Sequence, residues 1–340
     1  MKKILGKILR IIFYGLFVSL FLFVSSQLFF KKEAEKVINY IDELVFGAEE
    51  EELTKLKDLR VIYPEEPDTL EPTAADPVTR QRLVNIYESL VKPDRDLNMQ
   101  PSLAISWGII DDTTWEFRLR PNVVFHDGSK FDVEDVVESL NRASTLSKSE
   151  LAGAMETVES IDVLDELRFR INTKEPDPLL LQKLSKVLII PSEKAEEKEI
   201  YPPVGTASYK FSSWDSEEQK MVFEKFSDYW GEVSKFDSVE MYSRVDKSER
   251  VNMFLRGEGD LLAFVPYDVV STIEERGFEI KTVPTLEVQF ILFDVNSEIL
   301  GDVKRRKAIS LAIDQEALVE AVGGYARPVS QFVSNGVFGF

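Results

Sequence analysis

Between Trp115 and Arg142 the apolar period of the chain changes from two to about 3.6. In "TTWEFRLRPNVVF" Trp115, Phe117 and Leu119 fall on one side, with Glu116, Arg118 and Arg120 on the other. That alternation predicts a half-buried strand running to Phe125. In "FDVEDVVESLNR" Val133, Val136, Val137 and Leu140 share one helical face. The intervening "HDG" is turn chemistry, because glycine takes positive φ freely. Asp132 suits the N-cap, and Asp135 falls three residues later, where capping-box acids sit. The carboxylates Asp132, Glu134, Asp135 and Glu138 are therefore assigned to the helix start and its solvent face.

The turn matters because His126 is the only histidine among 340 residues, and there is no cysteine. Thiol nucleophiles, disulfides and Cys-ligated metals are excluded, and one histidine cannot supply a usual zinc set. No G-x-S-x-G elbow, Walker loop or dinucleotide fingerprint occurs. The formal charge of -19 argues against nucleic acid as a partner. No cofactor is implied.

Lys2, Lys3, Lys7 and Arg10 precede the apolar run Ile11 to Phe30. Twenty such residues can span a bilayer, and the basic flank keeps the N-terminus cytoplasmic. Two readings compete. A cleaved signal peptide would use the small residues near Val24–Ser26. A retained signal-anchor fits the full length and Lys31–Lys32 beyond it, and is the reading adopted. The chain is thus expected in the cell membrane, single-pass, with its domain extracytoplasmic. Residues 31–58 read as an acidic juxtamembrane spacer.

From Leu59 onward strands and helices alternate, which indicates an α/β architecture. "LRVIY" reads as a strand, "RQRLVNIYESLVK" as a helix with Leu83, Val84, Tyr87 and Leu90 on one face. "ESIDVLDELRFRIN" and "SYKFSSWDSEEQKMVFEKF" read as hairpins. "PLLLQKLSKVLIIP" reads as a helix entering a short strand, and "SERVNMFLRGEGDLLAFVP" as helix, turn and strand. "VQFILFDVN" reads as a strongly apolar strand, and Asp302–Val322 as one amphipathic helix.

The order of these segments resembles the extracellular solute-binding proteins of family 5, the peptide/nickel type. "EEPDTLEP" (65–72), "IYESLVKPD" (86–94), "PSLAISW" (101–107) and "WEFRLRPNVVFHDGSKFDVEDVVESLNR" (115–142) carry the resemblance. "VGTASYKFSSW" (204–214), "FSDYWG" (226–231), "GEGDLLAFVP" (257–266) and "DVKRRKAISLAIDQEALV" (302–319) complete it. The chain departs from the pattern in having Ala207 and Ser208 where the family has glycine and proline. An apolar span also replaces the family's lipid-anchoring cysteine.

The resemblance implies a class II periplasmic-binding-protein-like, two-lobed flytrap preceded by one transmembrane helix. It implies a first lobe over 59–282, with a subdomain at about 77–203, and the start of a second lobe over 283–340. Family members continue further, so the expectation is a fragment whose second lobe is incomplete. The implied function is the substrate-binding component of a peptide-type ABC importer, which captures peptides or similar small solutes and delivers them to permease subunits. A receptor that presents ligand to a sensor is the alternative, and a surface hydrolase a distant third. By position the resemblance places the cleft at Thr73, Ala74, Ala75 and Asp76, at Ala263, Phe264, Val265 and Pro266, and at Gln289, Phe290 and Leu292. Plain packing competes with each of these, and a helix N-cap competes at Asp76.

Overall fold

A computed structural model describes residues 57–334 and residue 337. The segment Ile11 to Phe30 and nearly all of the spacer lie outside the described residues. Among the described residues no helix is long and apolar enough to cross a membrane.

The strands are β1 (Asp58–Tyr63), β2 (Val91–Pro93), β3 (Met99–Pro101), β4 (Ala104–Asp111), β5 (Thr114–Leu119), β6 (Val158–Asp165), β7 (Arg168–Thr173), β8 (Tyr209–Asp215), β9 (Lys220–Lys225), β10 (Ser238–Ser243) and β11 (Leu261–Leu262). The helices, renumbered in chain order, are α1 (Pro77–Leu83), α2 (Val133–Thr145), α3 (Ala152–Met155), α4 (Leu180–Leu184), α5 (Lys247–Leu255), α6 (Val270–Glu275), α7 (Val303–Ala312) and α8 (Gln315–Ala321). One sheet has the order β11-β1-β10-β9-β8, with β1 parallel to both its neighbours. A second, antiparallel sheet has the order β4-β5-β7-β6.

Each sheet forms where the period-2 pattern supplies an apolar face. Trp115, Phe117, Leu119, Phe169 and Ile171 bury one face of the second sheet against Val133, Val136 and Leu140 of α2. Phe117 and Phe169 stack there at 5.2 Å. The β1 sheet is covered on both faces. Val61, Val239, Met241, Met221 and Phe223 face one core, while Ile62 and Leu262 face Val251 and Phe254 of α5.

Two segments cross between the cores, the first running into β2 at Val91. Ile86 and Tyr87 enter the core of the β1 sheet, and Leu90 and Val91 that of the second sheet. Residues 187–190 alternate in the same way, with Val187 and Ile189 in one core and Leu188 and Ile190 in the other. The two runs touch through Ile189 N–H, which donates to Glu88 O at 2.9 Å.

Several expectations need correction. The first helix ends at Leu83, so Tyr87 and Leu90 are buried from the turn and irregular chain that follow it, and Val84 is exposed. The strand ends at Leu119, because Asn122 turns the backbone with φ of 60°. Residues 187–190 form no strand. Asp135 is buried, not on the solvent face, and Ser192 N–H donates to it at 2.8 Å. "VQFILFDVN" forms no strand, since a strand needs a partner and none is described beside it. The expected helix over 302–322 breaks at Ile313, because Asp314 caps a new helix through Ala317 N–H at 3.1 Å. Leu311 and Leu318 stay exposed on the two pieces.

Candidate functional site

In open sheets with parallel strands, ligands bind outside the strands' carboxyl ends. Here that end is formed by the loops after β1, β10 and β11, and each is fixed from below. After β1, Tyr63 O accepts from Arg244 N–H at 2.9 Å. Glu65 O accepts from Arg82 Nη2 at 2.9 Å and from the Ser243 hydroxyl at 3.1 Å. The buried Arg82 guanidinium lies 3.8 Å over the Tyr63 ring, and burial holds its pKa below the usual value. Trp214 Nε1 donates to Glu66 at 2.6 Å. Glu65 and Asp68 remain exposed.

Before β11, "GEGD" brings that strand against β1. Asp260 accepts from Arg60 Nε and Nη2 at 3.1 and 2.7 Å. A Cβ on Gly259 would stand 2.5 Å from Ile62 Cδ1, so only glycine fits without movement. Ala263 N–H then donates to Ile62 O at 2.9 Å. Beyond β10, Arg244 of the loop pairs with Glu249 at 3.1 Å, and Lys247, the first residue of α5, with Asp268 at 2.6 Å.

The other motifs build framework. Glu88 of "YESL" accepts from Tyr229 OH at 3.0 Å, Trp230 Nε1 at 2.7 Å and Thr206 Oγ1 at 3.0 Å. Burial pushes its carboxyl upward while these three donors pull it back. Arg120 stacks 3.7 Å over Trp230. His126 Nε2 lies 2.9 Å from Ala207 O and donates to it, while Nδ1 accepts from Gly205 N–H at 3.3 Å. Burial lowers its pKa to about 4, so the ring is neutral.

Residues 98–340 match the model of the bacterial extracellular solute-binding proteins, family 5, middle region. The chain belongs to that family. The glutathione-binding protein GsiB of Pectobacterium atrosepticum is 29% identical over 274 residues, 78% of this chain and 53% of that protein. The chain spans about half the length of the curated relatives it matches. The periplasmic binding protein DppA from Helicobacter pylori, solved with peptide STSA, superposes with a TM-score of 0.71 at 22% identity, covering 83% of this chain and 62% of that one. The oligopeptide-binding protein AppA from Bacillus subtilis, solved with a nonapeptide, gives 0.69 at 24% identity, over 78% and 56%. The α/β fold is that of the periplasmic binding proteins.

Within this family-5 chain the cleft residues named from sequence separate into three groups. Thr73 and Ala74 are buried, and Thr73 Oγ1 donates to Glu71 at 3.1 Å. Ala75 N–H donates to Glu150 at 2.6 Å. Asp76 caps α1 through Thr79 N–H at 2.8 Å. The second group, Ala263 to Pro266, lies at the carboxyl end of β11 beside β1, with Phe264 exposed. In the third group Gln289 donates to Glu287, and Phe290 meets Phe332 edge-on at 5.1 Å. Leu292 is exposed. Sequence reasoning missed Glu65, Arg82 and Trp214. Their contacts join positions far apart in the chain, which spacing does not register.

Proposed function

We propose that the protein is the extracytoplasmic substrate-binding component of a peptide-type ABC importer. It captures peptides or similar small solutes at the carboxyl ends of β1, β10 and β11 and hands them to permease subunits. Membership of the solute-binding family carries the reading. The rim supports it, since its backbone is pinned from below while Glu65, Asp68 and Phe264 stay exposed. Residues 283–340 belong to a second lobe in this reading, and Ile11 to Phe30 tethers the domain to the membrane. The engaged nitrogens of His126 favour binding over hydrolysis, because neither is left to act as a base.

A thermal-shift screen of the full chain against tripeptide pools and glutathione tests this. Peptides should raise the melting temperature in a concentration-dependent way. A response to sugars alone would reject the peptide class.

A further inference from the structure

Among the described residues, four without glycine's freedom hold a positive φ: Leu97, Asn122, Gln219 and Phe264. Leu97 and Gln219 sit in hairpin turns, where such conformations are common, and Asn122 in the turn after β5 is of a type that tolerates them. Phe264, with φ of 54°, closes no hairpin. The chain there leaves β11 and enters a 3₁₀ turn at Tyr267–Val269.

The alternation of the strand shows what the strain does. Leu262 faces the core with Ile62, Val251 and Phe254, and Ala263 packs on the opposite side. A period of two would next send residue 264 inward beside Leu262. Instead Val265 takes that inward place, and Phe264 is turned out, 57% exposed. The backbone is strained, and the result is an aromatic ring in solvent. Packing within the described chain rewards neither feature, and such strain concentrates at ligand sites.

The surroundings define what the ring can meet. The bases that follow β10, Arg244 in its loop and Lys247 at the start of α5, are already paired with carboxylates, so an anionic group finds no free partner from them. Tyr267 is also exposed in the Phe264 loop. β11 is the outer strand of its sheet, the position at which an extended chain adds by strand augmentation. We infer that Phe264 is a specificity-determining residue, offering its ring to an apolar or aromatic side chain of a peptide laid at the carboxyl ends of β1 and β11. This rests on the peptide-binding reading above.

The test is calorimetry of the full chain with Ala-Phe-Ala and Ala-Ala-Ala, for wild type, Phe264→Ala and Phe264→Gly. Wild type should prefer Ala-Phe-Ala by roughly five- to tenfold, as one aromatic contact implies. Both variants should lose that preference, binding the two tripeptides with affinities within about twofold of each other. Melting supplies the second readout. Phe264→Gly should melt above Phe264→Ala by about 2–4 °C, because only glycine relieves the strain. Retained preference in the variants overturns the assignment and leaves peptide binding intact. No binding of either tripeptide by wild type removes the peptide reading and this inference with it. Phe264→Gly melting below Phe264→Ala also overturns it, since strain would not be setting the ring outward.

Discussion

His126 and Asp135 sit seven and sixteen residues after Leu119, and burial shifts them in opposite senses. Burial lowers His126 from 6.5 to about 4, and burial raises Asp135 from 3.8 to about 6. A depressed histidine contributes stability that is present above pH 6.5 and lost as the pH falls through 4. A raised carboxyl contributes stability that is present below pH 3.8 and lost as the pH rises through 6. Between these limits the two slopes oppose, each reaching at most about 1.4 kcal/mol per pH unit. The stability gap between wild type and His126→Gln should therefore widen as the pH rises from about 4 to 6.5. The gap for Asp135→Asn should widen as the pH falls from about 6 to 3.8. Urea midpoints across that range measure both, and parallel profiles for the three proteins would contradict the assignment. The role of Asp132 as N-cap was legible from its neighbours alone, because capping is local, and Glu134 N–H does donate to it at 2.7 Å. The burial of Asp135 was not legible, since its second donor comes from Ser192 on a distant loop.

At the scale of elements, the crossing segments were hardest to read. Residues 187–190 alternate between two cores and imitate a strand, while Tyr87 and Leu90 imitate a helical face. The hairpins were read correctly, because each strand's apolar side faces a single core. Two glycines test the crossing. A Cβ on Gly205 would meet Ile86 O at 2.1 Å, which is backbone in the crossing run. One on Gly259 would meet the Ile62 side chain, Cδ1 at 2.5 Å and Cγ1 at 2.7 Å, with the nearest backbone atom, Arg60 O, at 3.8 Å. Gly205→Ala should cost about 1–3 kcal/mol or more, and Gly259→Ala less than about 1.5 kcal/mol. Denaturant titration ranks the two, and the reverse order would show that the crossing gives way more easily than the side chain.

In the whole described unit, one buried ion pair ties the opening loop to the second sheet's helix. Arg142, on α2, meets Glu71 through Nε at 3.1 Å and Nη2 at 2.9 Å. Its Nη1 donates to Ala195 O and Glu197 O at 2.7 and 2.5 Å, and Ile200 N–H donates to Glu71 at 3.2 Å. Three separate stretches of chain thus meet at the guanidinium of Arg142, a residue only 4% exposed. Arg142→Ala should destabilise by about 3 kcal/mol, because the part-buried Glu71 would keep only its donors Thr73 and Ile200 and lose its charged partner. Added salt should change that loss little, since the pair is shielded from bulk ions. Equilibrium unfolding at low and high salt checks both statements. The order of the segments in the sequence carried the fold, but this staple spans 71 positions and leaves no local pattern.

The Glu88 junction has a practical consequence for engineering. Its three donors come from Thr206, Tyr229 and Trp230, none of them in the rim loops after β1, β10 and β11. A library randomised at Glu65, Phe264 and Tyr267 would leave every hydrogen bond of that junction in place. Recognition could be rewritten in such variants as one edits a label, with the scaffold beneath serving as a reusable sensor chassis.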